Sequence, residues 1–108
     1  MASENIKLRV ERRGEVTIVW VSGVLDALAL SEVSGVLSDA QETSGQVFVD
    51  LAEVTFMDSR GLGSLLAANA RALDGAAAMH IHRPSPAVAR LLNVSGVRDV
   101  LVEVDALP

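Results

Sequence analysis

The stretch Phe48–Ala72, FVDLAEVTFMDSRGLGSLLAANARA, decides the fold. Val47-Phe48-Val49 reads as a short buried strand, ended by Asp50 and Leu51 in structural roles, and Val54-Thr55-Phe56-Met57 carries the chain onward. The apolar run then stops at Asp58 and Ser59. From Ser59 to about Leu73 the apolar residues Leu62, Leu66, Ala70 and Leu73 return at helical spacing. A strand therefore runs almost directly into a helix. Gly61 and Gly63 stand at the start of that helix, where glycine is an expensive choice.

Working outward, the same alternation recurs. Ile6 to Val10 alternates with polar residues, Arg12-Arg13-Gly14 reads as a turn, and Val16 to Val21 is rich in β-branched residues, which together predict a hairpin. Gly23 breaks the second run, and Asp26 is placed to cap a helix over 27–40, with Leu30, Val33 and Leu37 at helical spacing. Thr43-Ser44-Gly45 is a loop. Ala77 to Ile81 reads as another strand, and Pro84 and Pro86 open a third helix over Ala87–Leu92, which Asn93 to Gly96 ends. Val100 to Val104 reads as a last short strand or edge segment. The order β-β-α-β-α-β-α, with that terminal segment, requires crossovers. It predicts an α/β fold: a small mixed sheet, an N-terminal hairpin plus parallel strands, packed against helices.

The 108 residues make one domain, 1–108, with no internal repeat, linker or low-complexity tract. Half of them are apolar and only 3% aromatic, so the core is aliphatic and offers few rings for stacking. A net charge of −5 argues against nucleic acid, which needs clustered Lys and Arg. The one basic cluster, Arg9, Arg12 and Arg13, is interrupted by Glu11 and reads as a solvated strand end. With no cysteine there is no disulfide, thiolate nucleophile or Cys-based metal site. The longest uncharged run, Val16 to Leu25, falls short of the roughly 20 residues that span a bilayer. The start, Met1 to Asn5, lacks the basic-then-apolar layout of a signal peptide. The expectation is a cytoplasmic protein with no membrane contact.

Asp58 and Ser59 are both favoured N-caps, because their oxygens accept the orphan amide protons of a first turn. Capping alone leaves the glycines unexplained, since each costs about 0.5–1 kcal/mol against alanine in a helix. Their value at this stage is access: without Cβ atoms, a partner backbone or a phosphate can approach Ser59. A serine hydrolase fits poorly, because the surroundings are not Gly-x-Ser-x-Gly and the base would have to be His80 or His82. Those histidines flank Ile81 and face the same way, but no third metal ligand is indicated, and surface or half-buried strand positions account for them. A P-loop is excluded for want of a Gly-Lys-Ser/Thr sequence. Modification fits best. A phosphate on Ser59 adds about −1.5 to −2 charges at the positive end of a helix dipole, which leaves the fold intact while the surface becomes anionic.

VDLAEVTFMDSRGLGSLL (Val49–Leu66) resembles the signature segment of the STAS domain, in particular of the bacterial anti-sigma-factor antagonists. VSGVLDAL at Val21–Leu28, PSPAVARLLNVSGV at Pro84–Val97 and DVL at Asp99–Leu101 agree with it, in order, over nearly the whole chain. The resemblance implies a small mixed sheet against helices and a switch without enzymatic activity or a cofactor of its own. It implies that the unphosphorylated protein binds an anti-sigma factor that is itself an ATP-using serine kinase, so that a sigma factor is freed. Phosphorylation breaks that complex, and a serine phosphatase restores it. By position, Ser59 would be the phosphoacceptor and Asp58, Gly61 and Leu62 would shape its loop, with Arg60 and Gly63 completing the contact surface. Asp26 would lie at the same end of the sheet, unless it is only the cap of the first helix.

Two departures stand out. Arg60 occupies a place where members commonly carry a small residue, and three readings are open for it: phosphate partner, partner-specific contact, or plain exposed residue. Val24 replaces an acidic residue often found in Gly-Glu-Leu-Asp. The alternatives are a STAS scaffold that does not switch, as a subunit of a signalling or lipid-transport complex, and a small transferase using Ser59.

Overall fold

The computed structural model describes residues 5–108; Met1 to Glu4, on which the signal-peptide reading turns, lie outside the described residues. β1 (Ile6–Arg13) and β2 (Val16–Leu25) form the expected antiparallel hairpin. α1 (Leu30–Thr43), β3 (Gln46–Met57), α2 (Ser59–Leu73), β4 (Ala78–His82) and α3 (Pro86–Ser95) follow, and a 3-10 turn at Arg98–Val100 leads to β5 (Val102–Val104). The five strands lie in the order β1-β2-β3-β4-β5, parallel from β2 onward. The mixed sheet and helix order read from the sequence are thus the observed ones.

The core is aliphatic. Val19 and Val21 of β2, Val47, Val49 and Leu51 of β3, and Met79 and Ile81 of β4 meet Val33 and Leu37 of α1 and Leu65 and Ala68 of α2. Val88 and Leu92 bring α3 into the same cluster. Each fully buried Leu, Ile or Val contributes about 1.5–3 kcal/mol, so this layer supplies most of the stability.

Several boundaries differ from the expectation, each for a local reason. β3 is one strand of 12 residues, and Asp50 sits inside it rather than at its end. The residue is 1% exposed, which is unfavourable for a carboxylate without partners. Oδ2 meets His82 Nδ1 at 2.6 Å and accepts from Arg83 Nε at 3.2 Å, while Oδ1 accepts from the Ala52 amide at 3.1 Å. Ala52 lies where the β2–β3 register slips, so Asp50 binds an amide at the point where the strand ladder is interrupted. Gly23 does not end β2 either. At φ 95° it bulges, and a Cβ there would lie 2.1 Å from the Asn5 carbonyl oxygen.

α1 begins at Leu30, not at Ala27, and its N-cap is Ala29 without a side-chain cap. Asp26 instead accepts from the Leu28 amide at 3.0 Å, and the Ala29 amide donates to the Asp26 carbonyl, so Asp26 closes a turn ahead of the helix. Thr43 belongs to α1, and α3 runs on through Asn93 to Ser95 before Gly96, at φ 71°, ends it in the left-handed conformation. The basic cluster is occupied internally: Arg9 lies 4.0 Å from the centroid of the Trp20 ring, and Arg12 donates to the Gly14 carbonyl. Arg13 pairs with Glu11, whose carboxyl it holds below its ordinary range.

Gly61 has a packing role that its sequence context conceals. A Cβ at that position would lie 2.1 Å from the Leu25 carbonyl oxygen and 2.9 Å from Leu25 Cγ, whereas one at Gly63 would meet nothing within 4 Å. The two glycines are therefore predicted to respond oppositely in urea denaturation. Gly61→Ala should lose about 1–3 kcal/mol by overpacking, and Gly63→Ala should gain about 0.5–1 kcal/mol of helix propensity. The cap should separate its two candidates in the same measurement: Asp58→Ala is expected to cost about 1 kcal/mol and Ser59→Ala close to nothing.

Candidate functional site

β2 and β3 are parallel neighbours whose last paired residues are Leu25 and Met57. Asp26 and Asp58 consequently leave the sheet side by side, at the carboxyl end where open α/β sheets place their sites. The Asp58 amide donates to the Leu25 carbonyl at 3.3 Å, so the two exits are tied together. Asp58 is extended (φ −103°, ψ −179°) and caps α2, its Oδ1 accepting from the amides of Arg60 at 3.0 Å and Gly61 at 2.9 Å. The Leu62 amide then donates to the Asp58 carbonyl at 3.0 Å, the first regular turn of the helix.

This division leaves Ser59 unspent. It is the first helical residue, it is exposed, and among the described residues its hydroxyl has no hydrogen-bond partner. Arg60 beside it is exposed and forms no ion pair among the described residues. Gly63, one turn on, is exposed with open space above it. Asp26 and Asp58 are half-buried at the same rim, and Gly61 and Leu62 are turned inward against Leu25 and the core, where they shape the loop from beneath.

The two histidines are engaged elsewhere. His82 is held by Asp50, and His80 stacks on Phe48 with ring centroids 4.5 Å apart, so neither is hydrogen-bonded to Ser59. Among the described residues neither histidine stands as a base against the Ser59 hydroxyl, which is exposed at the helix start. The α2 N-terminus favours an added anion, and the unpaired Arg60 guanidinium is the nearest cation in sequence.

The part played by the Leu25 carbonyl, which receives the Asp58 amide and seats Gly61, is not apparent from the sequence. The available signal was Gly61 itself, placed on the inward stripe one residue before Leu62. Nor does the sequence signal a shallow groove of about 330 Å³ between the end of β3 and α3, lined by Phe56, Met57, Ala87, Arg90, Leu91 and Val94.

Comparison with known proteins agrees with this architecture. The family model described as "Mlab, STAS domain" matches residues 8–103. An anti-sigma-B factor antagonist of Staphylococcus epidermidis is 31% identical over 99 residues, 90% of this chain and 91% of that protein. A crystal structure of an anti-sigma factor antagonist from Mycobacterium paratuberculosis superposes with a TM-score of 0.82 at 22% identity, over 99% of this chain and 92% of that one. The anti-sigma factor antagonist SpoIIAA in its unphosphorylated form gives 0.75 at 22% identity, over 91% and 88% of the two chains. With the family model spanning nearly the whole sheet and all three helices, the chain belongs to the STAS domain family.

Proposed function

We propose that the protein is an anti-sigma factor antagonist whose binding is switched off by phosphorylation of Ser59. The observation that carries the reading is the division of labour at the start of α2: Asp58 caps the helix, so Ser59 can be modified without removing a structural hydrogen bond. Relatives of nearly the same length carry the antagonist name. In this reading the unmodified surface around Asp26, Asp58, Ser59, Arg60 and Gly63 docks on an anti-sigma factor with serine kinase activity, over the loop that Gly61 and Leu62 shape.

The kinase supplies the chemistry. The Ser59 oxygen attacks the terminal phosphorus of kinase-bound ATP, its proton passes to a base on the kinase, and ADP leaves. The protein contributes presentation: an exposed hydroxyl at a fixed helix start, with no side chain at Gly63 to obstruct the approaching subunit. The phosphate then adds about −1.5 to −2 charges beside two carboxylates. Folding tolerates this because the helix terminus is positive. Docking does not, because the interface must desolvate the new charge. A serine phosphatase resets the surface. The exchange belongs in the cytoplasm with the sigma factor, and no helix among the described residues is long and apolar enough to cross a membrane.

Pull-downs from native lysate with immobilised wild type, Ser59→Ala and Ser59→Asp, with and without ATP, test the switch. Wild type should release a kinase-like partner when ATP is added, Ser59→Ala should retain it, and Ser59→Asp should bind more weakly but not abolish binding, since aspartate carries less charge than phosphate. Equal recovery in every lane would leave a STAS scaffold indifferent to Ser59. Transfer of a group onto Ser59 from an activated substrate, with no kinase present, would point to an enzyme.

A further inference from the structure

The groove between β3 and α3 lies close in sequence to Ser59 and contributes no residue to the proposed acceptor loop. Its floor and walls are Phe56, Met57, Ala87, Leu91 and Val94, and its one charged residue is Arg90. Phe56 is 52% exposed and Val94 80% exposed. Single exposed apolar residues are ordinary; here an aromatic ring and a branched aliphatic side chain line one depression. Arg90 is exposed and forms no ion pair among the described residues, although the chain is acidic overall.

Phe56 lies three positions before Ser59, a span of at most about 11 Å. A partner of standard size covers about 800 Å² on each side, roughly 16 Å in radius, so one centred on Ser59 also covers Phe56. Binding energy concentrates where an aromatic or aliphatic anchor fills a depression, and Arg is enriched at such centres.

We propose that this groove is the anchoring half of the interface, and that it receives an amphipathic helix of the anti-sigma partner. An aliphatic side chain of that helix enters between Phe56 and Val94, and a carboxylate one turn away pairs with Arg90. The inference rests on the antagonist reading and adds to it a separation of roles. The groove holds the partner by apolar contact that is insensitive to phosphate, and the Ser59 rim decides whether the complex survives. Arg90 supplies the charge complementarity: its occupant is acidic at that point, so a basic or uniformly apolar helix is rejected.

The test uses the anti-sigma factor recovered with Ser59→Ala, identified by mass spectrometry and then purified, and measures Kd by calorimetry. Val94→Asp and Arg90→Glu are each expected to weaken binding at least tenfold, and Arg90→Lys to keep most of it. Val10→Asp, at a half-exposed position on β1 beside a different groove, should change Kd by less than twofold. Thermal melts of each variant confirm that the fold is retained, which the high exposure of Val94 and Arg90 favours.

Unchanged affinity in Val94→Asp and Arg90→Glu overturns the groove and leaves the switch standing. Weakening by those two with full affinity in Ser59→Asp retains the groove and rejects the switch. Failure of Ser59→Ala to bind any anti-sigma factor rejects both. Sedimentation of the protein alone completes the test: a wild-type dimer that Val94→Asp renders monomeric would assign the groove to a second copy of this chain and overturn the proposal.

Discussion

The carbonyl of Leu25 is the point on which the functional end of the molecule depends. It ends β2, accepts the Asp58 amide and forms the surface against which Gly61 packs. Those contacts fix three things at once: the spacing of the β2 and β3 exits, the direction in which α2 leaves the sheet, and the depth at which its first turn sits. A side chain at Gly61 would lift the helix start away from the sheet and move Ser59 with it. The glycine's cost in helix propensity, about 0.5–1 kcal/mol, is small beside the 1–3 kcal/mol that overpacking would cost here. Geometry at the switch therefore outweighs local preference.

Much of this was legible in the sequence because the hydrophobic periods are clean. β-Branched alternation gave the hairpin, and the strand-helix succession required parallel crossovers. What was not legible arose from tertiary contacts. Asp26 has an ideal residue type for a cap, yet the chain needs a turn before α1 can begin, and the side chain closes that turn instead. Asp50 resembles a strand terminator because acids are rare inside strands. Its partners, His82 and Arg83, are more than thirty residues away, and only the β3–β4 pairing brings them together. Gly61 and Gly63 looked equivalent as letters two apart, although one faces the sheet and the other solvent.

The same distinction applies to the candidate site. Asp58, Ser59 and Arg60 were identifiable as a group because a helix start exposes its first residues and because the segment resembles a family signature. Which of the two cap-competent residues does the capping was not decidable from type alone. The Phe56–Val94 groove had no sequence signal, since its halves lie on a strand and on a helix nearly forty residues apart.

A modifiable residue that also holds the helix would couple phosphorylation to unfolding, because esterifying its oxygen would remove or weaken the cap at the moment of signalling. Asp58 avoids that conflict by taking the Arg60 and Gly61 amides with one oxygen. The two functions then occupy adjacent residues and answer to different forces. The cap is a short-range hydrogen-bond arrangement that survives added charge nearby. The proposed docking surface would be a desolvated area that a dianion disrupts. If Ser59 is the acceptor, as proposed, Arg60 would set how sharp the transition is. A guanidinium that folds back onto the phosphate would neutralise part of it and soften the loss of binding, whereas one engaged with the partner would be drawn off by the phosphate and steepen it. In the proposed switch, the charge at Arg60 is thus the feature of this loop that would tune the response without belonging to either the cap or the proposed acceptor.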